Sequence, residues 1–80
     1  MKLKVGREEY NLDESDRIMF NGAVFILITR TAGYGFNKYS PTVSKVRMNK
    51  LIKNGDMILC KEKYIARYQE LDMYKIKEDN

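Results

Sequence analysis

The sequence predicts a small α+β domain, in which hairpins form an antiparallel β-sheet and one basic amphipathic helix packs on it. Three observations carry this prediction. Short runs of β-branched and aromatic residues alternate with turn residues, which is typical of hairpins. One segment, residues 41–54, repeats its apolar positions with the period of a helix. With 80 residues, of which 44% are hydrophobic, the chain has the size and the apolar content of one domain with its own core.

The N-terminal segment has the alternation of a β-hairpin. Apolar residues recur at every second position on the two sides of a turn near Gly6: Leu3, Val5, Tyr10 and Leu12. Side chains two residues apart in a strand lie on the same face, so Leu3 and Val5 would share one face, and Tyr10 and Leu12 another. The acidic residues at 13–16 are expected to form a solvated connector, because their spacing fits no calcium-binding loop.

The clearest turn signal in the chain separates two apolar runs. Residues 18–20 and 23–28 flank Asn21 and Gly22, which both tolerate a positive φ, so we expect two antiparallel strands joined by a two-residue type I′ turn. The second run is apolar on both faces, which predicts the central strand of the sheet. A buried helix over 16–30 is the alternative, although the Asn-Gly pair and the β-branched residues argue against it.

The predicted helix spans about residues 41–54. Ser40 can cap its start, Pro41 suits its first turn, and Gly55 suits the left-handed position after its last turn. One side of the helix collects apolar and small residues: Ser44, Met48, Leu51 and Ile52. The other side collects polar and basic residues: Lys45, Asn49, Lys50 and Lys53, with Arg47 between the two sides. This division predicts a helix that packs on the sheet by one side and shows solvent a basic one.

Two further strands are expected in the last third of the chain. Residues 57–64 are predicted to form one strand and residues 71–76 the other, with a loop at about 66–70 between them. Tyr74 and Ile76 would face the core.

Acidic residues are absent from residues 17–55, which carry seven basic residues. The net charge is therefore +7 in this block, against −2 in residues 1–16 and −1 in residues 56–80. In residues 17–30 the absence has a folding reason, because a carboxylate in a buried hairpin is costly. The loop and helix that follow are expected to be exposed, and they hold five bases and no acid: Lys38, Lys45, Arg47, Lys50 and Lys53. A block of one sign attracts anions, so this part of the chain predicts a binding site.

Residues 40–58 resemble the third helix and the first wing strand of winged-helix DNA-binding domains. A Ser/Thr-rich start precedes a basic helix, which ends in a Leu-x-x-x-Gly turn formed by Leu51 and Gly55. In that family a β-hairpin follows, with an aromatic residue on its returning strand, and here Tyr74 holds that position. The resemblance covers about half of the chain. It implies a winged-helix-like C-terminal half on a β-rich frame, since residues 31–39 leave no room for the family's second helix.

The basic side of the helix is the first candidate site. Lys45, Arg47, Lys50 and Lys53 would contact phosphates of a nucleic acid, most simply duplex DNA, and Asn49 would reach a base edge in the major groove. A solvated face without a partner is the alternative. A weaker basic and aromatic set lies further along the chain: Lys61, Lys63, Tyr64, Arg67 and Tyr68.

The loop before the helix is the second candidate site. Lys38 and the backbone amides at the helix start can hold a phosphate or a carboxylate, and Tyr34 or Phe36 can stack on a base. Asn37 and Ser40 complete this candidate ligand loop, which lacks the Gly-Lys-Ser/Thr ending of a P-loop. Its aromatic residues can instead cover the core, and this is the favoured interpretation, because a small domain needs every large apolar side chain.

Composition argues against several classes of function. The chain has no His and one Cys, so zinc ligand sets, a disulfide framework and a His-assisted nucleophile are missing. We therefore expect a non-enzymatic protein without a metal or a cofactor, in which Cys60 is a buried thiol. No apolar run reaches the roughly 18 residues that span a bilayer, and the N-terminus has no signal-peptide pattern. A cytoplasmic protein without a membrane partner is the expectation.

Three functions fit these observations. The first is an accessory or regulatory protein that binds nucleic acid. The second is an inhibitor or adaptor, of the kind that phages and mobile elements encode, which docks on an acidic surface of a larger enzyme. The third is a protein that binds a small anionic ligand or a nucleotide through the loop at 33–40. Exposed sheet edges and half-exposed Val43 and Val46 would also permit a homodimer.

Overall fold

The computed structural model describes residues 1–5, 7–28 and 41–77, and it confirms the α+β class. In this part of the chain the elements are β1 (Lys2–Val5), β2 (Glu8–Asn11), β3 (Arg17–Phe20), β4 (Phe25–Ile28), β5 (Thr42–Val43), α1 (Lys45–Lys53), β6 (Met57–Ala66) and β7 (Gln69–Ile76). The strands β1 and β2 form a separate hairpin, and the other five form one sheet in the order β5-β4-β3-β7-β6. Every pairing among these strands is antiparallel.

The N-terminal hairpin forms as the alternation predicts. Leu3 lies opposite Tyr10 in its register. Its open end is closed by two hydrogen bonds between Met1 and Leu12: the amide of Leu12 donates to the carbonyl of Met1 at 2.7 Å, and the N-terminal ammonium donates to the carbonyl of Leu12 at 3.0 Å. Leu3 and Leu12 are both buried, so the hairpin is attached to the core by its apolar face.

Residues 17–28 form a hairpin and not the alternative helix, but the predicted two-residue turn is wrong. Phe20 pairs with Phe25, so four residues connect the strands. The side-chain oxygen of Asn21 accepts hydrogen bonds from the amides of Ala23 and Val24, each at 2.9 Å, and Gly22 has a φ of +95°. These bonds hold residues 23 and 24 in the turn, and β4 therefore begins at Phe25.

The strand β4 is buried along its whole length, as its sequence predicts, but it is not the central strand. That position belongs to β3, which pairs with β4 on one side and with β7 on the other. The strands β3 and β7 come from opposite ends of the chain, and no local pattern indicates their pairing.

The helix begins four residues later than predicted. Thr42 and Val43 are β-branched and form β5 against β4, where Val43 pairs with Phe25 and is only 4% exposed. The expectation that Val43 is half-exposed is therefore wrong. Ser44 caps the helix by accepting a hydrogen bond on its side-chain oxygen from the amide of Arg47 at 3.2 Å. The capping role predicted for Ser40 thus belongs to Ser44, and Pro41 precedes a strand instead of opening the helix.

The end of the helix is as predicted. Gly55 has a φ of +81°, the left-handed conformation that glycine adopts without a Cβ penalty. Its amide donates to the carbonyl of Ile52 at 3.1 Å, and the amide of Asp56 donates to the carbonyl of Leu51 at 2.9 Å. This pair of bonds is the Schellman arrangement, which satisfies carbonyls in the last helical turn.

The last two strands are longer than predicted, and the turn between them is shorter. Ala66 pairs with Gln69, which leaves only Arg67 and Tyr68 in the connection, and Arg67 has a φ of +55°. The loop expected at 66–70 is therefore wrong. The register shifts between Leu59 and Lys63, so β6 contains an irregularity in its middle.

The sheet buries apolar side chains on both faces. The larger cluster consists of Leu3, Leu12, Ile18, Phe25, Leu27, Val43, Met48 and Met57. The N-terminal hairpin and α1 cover this face, and Tyr74 and Ile76 pack against it as predicted. The smaller cluster on the other face consists of Met19, Ile26 and Ile28, with Tyr64, Leu71 and Met73 against it. Successive residues of β3 and β4 alternate between the clusters, as the strand period requires.

Candidate nucleic-acid interface

The outer side of α1 carries the residues that the sequence marks as a binding site. All of them are exposed: Lys45, Arg47, Asn49, Lys50 and Lys53. The inner side is anchored by Met48, which is 0% exposed, with Leu51 and Ile52 packed against the same core. The helix is therefore held by its apolar side, and its position presents the basic side to solvent.

Within the described part of the chain, the basic residues of α1 have no acidic partner. The helix contains no Asp or Glu, and the one ion pair between two described residues joins Lys63 and Asp72 on the β6–β7 hairpin. Exposed cations that form no ion pair keep their attraction for an incoming anion. We use the name helix surface for the surface formed by Lys45, Arg47, Lys50 and Lys53.

The positions of these bases along the helix separate structural from functional explanations. Lys50 and Lys53 lie in the last turn, where a cation interacts favourably with the negative end of the helix dipole. Lys45 and Arg47 lie in the first turn, at the positive end, where acids stabilise a helix and bases do not. The first turn has no acid at all. The helix dipole thus explains the last two bases but not the first two, of which Arg47 also contacts the N-terminal hairpin.

Arg47 connects the helix to the N-terminal hairpin. Its guanidinium donates a hydrogen bond to the backbone carbonyl of Lys4, 43 residues away in the chain. A cleft of about 240 Å³ lies at this contact, lined by Lys4, Val5, Thr42, Val43, Ser44 and Arg47. We call it the Lys4–Arg47 cleft. Two basic residues and two residues with a hydroxyl group line it, and none of the described acidic residues does.

Sequence reasoning missed Lys4. Its alternation with Leu3 and Val5 indicates an exposed position, but nothing nearby in the chain connects it to a helix that follows so much later. Only the hydrogen bond from Arg47 to the Lys4 carbonyl shows the connection. Glu9 lies opposite Lys4 in the hairpin register, and no ion pair joins the two side chains.

The second candidate site lies outside the described residues. This applies to Tyr34, Phe36, Asn37, Lys38 and Ser40, so their proposed roles in holding a phosphate or stacking on a base stay predictions.

The weaker basic and aromatic set on the last hairpin does not assemble into one surface. Lys63 donates to the carboxylate of Asp72, and this hydrogen bond raises the pKa of the Lys63 ammonium. Tyr64 is half-buried against the smaller core cluster, whereas Tyr68 is fully exposed at the turn. The positive charge of Lys63 is therefore balanced by Asp72, and the two aromatic residues lie in different environments.

Cys60 and the acidic connector have structural explanations. Cys60 is buried, and this burial raises the pKa of its thiol, although the charges of Arg17 and Lys75 act in the opposite direction. In the connector, Asp13 accepts hydrogen bonds from the amide and hydroxyl of Ser15, and Asp16 accepts one from the amide of Asp13 at 3.0 Å. Among the described residues, no three His, Cys, Asp or Glu side chains lie close enough to hold a metal ion.

No helix within residues 1–5, 7–28 and 41–77 is both long and apolar enough to cross a membrane. Comparisons with protein-family models, with curated protein sequences and with solved structures found no match to this chain. A functional proposal therefore rests on the fold, on the helix surface and on the Lys4–Arg47 cleft beside it.

Proposed function

We propose that this chain is a small non-enzymatic protein that binds nucleic acid as an accessory or regulatory factor, with α1 docked on phosphates of duplex DNA. The observation that carries the proposal is the pair of bases in the first turn of α1. Lys45 and Arg47 lie where a helix gains stability from acids. A partner that supplies negative charge would compensate for this unfavourable placement.

The geometry of α1 suits such a partner. Its nine residues extend over about 13 Å, which is close to the width of the major groove, about 12 Å. Burial of Met48 fixes the helix on the sheet, so the basic side chains project from a rigid support. Asn49 is exposed among them and has both a donor and an acceptor for a base edge.

The order of elements also supports a winged-helix-like presentation. The basic helix ends at the Gly55 turn and is followed by the β6–β7 hairpin, as the resemblance implies. Tyr74, the aromatic residue of the returning strand, packs into the core beside Phe25, with the ring centroids 5.9 Å apart. In this proposal the hairpin supports the helix, and the contact with nucleic acid is made by the helix surface.

The test is binding to a labelled duplex of about 25 base pairs, followed by fluorescence anisotropy from low to moderate salt. The test variant changes the four bases of the helix surface to Gln: Lys45, Arg47, Lys50 and Lys53. The matched control changes three lysines and one arginine that are exposed elsewhere: Lys2, Lys61, Arg67 and Lys77. For each phosphate that the variant no longer neutralises, the slope of log affinity against log salt should fall by about 0.9. The proposal is wrong if both variants lose affinity equally, or if the unsubstituted protein does not bind the duplex at low salt.

A second candidate function is favoured by the β6–β7 hairpin. Leu59, Ile65 and Tyr68 are large side chains, and all three are exposed on this one element. Aromatic and apolar side chains of this kind are typical contact residues of protein interfaces. We therefore retain an inhibitor or adaptor role, in which the basic helix docks on an acidic surface of a larger enzyme. Recovery of one stoichiometric protein partner after nuclease treatment would favour this role, whereas nuclease-sensitive recovery would favour the first.

A further inference from the structure

We infer that the nucleic-acid interface extends from α1 onto β1, and that a backbone phosphate of the bound nucleic acid is held in the Lys4–Arg47 cleft. This inference rests on the proposed function and adds a residue to its site. Lys4 becomes a binding residue although it lies outside the helix and outside the block that lacks acids.

The first support is the fixed position of Arg47. A guanidinium has five N–H donors in a planar fork, and one of them is used on the carbonyl of Lys4. The side chain that lines the cleft is therefore held in place while it retains donors for another acceptor. The fork matches the oxygens of a phosphate. A preorganised side chain also loses less conformational freedom on binding than a free one.

The second support is the composition and size of the cleft. Lys4 lines the cleft together with Arg47 and adds a second basic residue there, and Thr42 and Ser44 carry hydroxyl groups that can donate hydrogen bonds. A volume of about 240 Å³ corresponds to roughly eight water molecules. A phosphate group with part of its hydration shell therefore fits.

One acid near the cleft opposes the binding of an anion there, and its removal provides a second test. Glu9 lies opposite Lys4 on the neighbouring strand and is exposed, without an ion pair to it. Its negative charge reduces the potential at the cleft at short range. If a phosphate occupies the cleft, removal of this charge should strengthen binding. If the cleft is empty in the complex, removal should change little.

Substitution of Lys4 by Gln is a clean test, because Arg47 contacts the backbone carbonyl of Lys4, which the substitution leaves in place. Lys2→Gln is the matched control: Lys2 lies on the same strand, is exposed as Lys4 is, and does not line the cleft. Glu9→Gln is compared with Glu14→Gln, since Glu14 is exposed in the acidic connector. Equal thermal unfolding midpoints would establish that all four variants are folded.

Affinity for the 25-base-pair duplex is then measured over a range of NaCl concentrations. We expect Lys4→Gln to weaken binding about threefold or more and to reduce the salt slope by about 0.9. Lys2→Gln should leave the slope unchanged. Glu9→Gln should tighten binding, and Glu14→Gln should not.

The inference is overturned if Lys4→Gln and Lys2→Gln behave alike while the fourfold helix variant loses binding, a result that leaves the proposed function intact. Absence of duplex binding by the unsubstituted protein overturns both. Titration with inorganic phosphate alone, followed by amide chemical shifts at residues 42–47, distinguishes the sources of the anion. The chemical shifts could saturate below about 1 mM phosphate while Lys4→Gln binds the duplex as the unsubstituted protein does. That pair of results would assign the cleft to free phosphate and overturn its assignment to nucleic acid.

Discussion

The guanidinium of Arg47 on the first turn of α1 donates a hydrogen bond to the backbone carbonyl of Lys4 on β1. This contact joins the helix to a hairpin that is separate from the five-stranded sheet. It also brings Lys4 and Arg47 to the lining of one cleft. One side chain thus has a structural role, which is to attach the hairpin, and a proposed role in binding.

The structural role of Arg47 predicts a modest loss of stability in Arg47→Ala. Loss of one partly solvated hydrogen bond should lower the free energy of unfolding by about 0.5–1.5 kcal/mol. Lys50→Ala removes a base that is also exposed but lies in the last turn of the helix, and it should cost less than about 0.5 kcal/mol. Urea denaturation measures both values. Equal values would show that the hydrogen bond to Lys4 contributes nothing.

Ser44 allows stability and binding to be separated. Ser44→Ala removes the acceptor for the amide of Arg47 and should cost about 1 kcal/mol, as loss of a helix cap does. Ser44→Asp keeps an acceptor there and interacts favourably with the helix dipole, so stability should be retained. Because Ser44 lines the Lys4–Arg47 cleft, the added carboxylate should nevertheless weaken duplex binding. Unchanged binding by a folded Ser44→Asp variant would contradict this prediction.

Met48 is predicted to be the residue of α1 on which the fold depends most. It is 0% exposed within the larger core cluster, so Met48→Ala should cost about 2–5 kcal/mol through reduced burial and the cavity left behind. A small domain has little stability to lose, so this variant is expected to be largely unfolded by circular dichroism at 37 °C. Val46, two residues earlier, is 81% exposed, and Val46→Ala should change stability by less than about 0.5 kcal/mol.

Gly55 tests whether the end of α1 depends on backbone conformation alone. A Cβ at this position would meet nothing within 4 Å, so Gly55→Ala has no steric clash with neighbouring groups. Its φ of +81° should still cost about 1–2 kcal/mol for a residue with a side chain. Gly55→Asn should cost less, because Asn adopts the left-handed region more readily. Thermal denaturation would rank the three proteins, and an equal stability of all three would be inconsistent with this explanation.

The buried thiol of Cys60 predicts that stability falls at alkaline pH. Burial raises the pKa of this thiol above its ordinary value of 9.0, so the folded protein retains the proton at a pH where the unfolded chain loses it. This contribution is complete below the unfolded pKa and is lost as the pH rises through the folded one. The free energy of unfolding should therefore decrease above about pH 8.5.

The control for this prediction is Cys60→Ala, which should flatten the first part of that decrease. The pKa values of Tyr10 and Lys63 are also raised, by hydrogen bonds with Glu8 and Asp72, but from ordinary values of 10.0 and 10.5, so these groups act at higher pH. Urea denaturation at pH 7.5, 8.5 and 9.5 provides the comparison. An identical pH dependence with and without the thiol would count against the assignment to Cys60.

Local patterns in the amino-acid sequence were sufficient for the features that depend on neighbours a few residues apart. Alternation of apolar residues and turn residues predict the N-terminal hairpin and the hairpin between β3 and β4. The helical period predicts the apolar side of α1, and Gly55 predicts its end. All of these signals are local. The exposed bases of the helix surface follow from the same period, so most of the candidate site was predictable.

The features that depend on distant partners required the folded chain. Val43 belongs to a strand because Phe25 is there to pair with it, and this pairing delays the start of α1 to Lys45. The strand β3 is central because β7 pairs with its free edge. Lys4 joins the candidate site because its backbone carbonyl accepts a hydrogen bond from Arg47 on α1. Such contacts form between segments far apart in the chain, where burial of a shared core and satisfaction of backbone hydrogen bonds outweigh local preference.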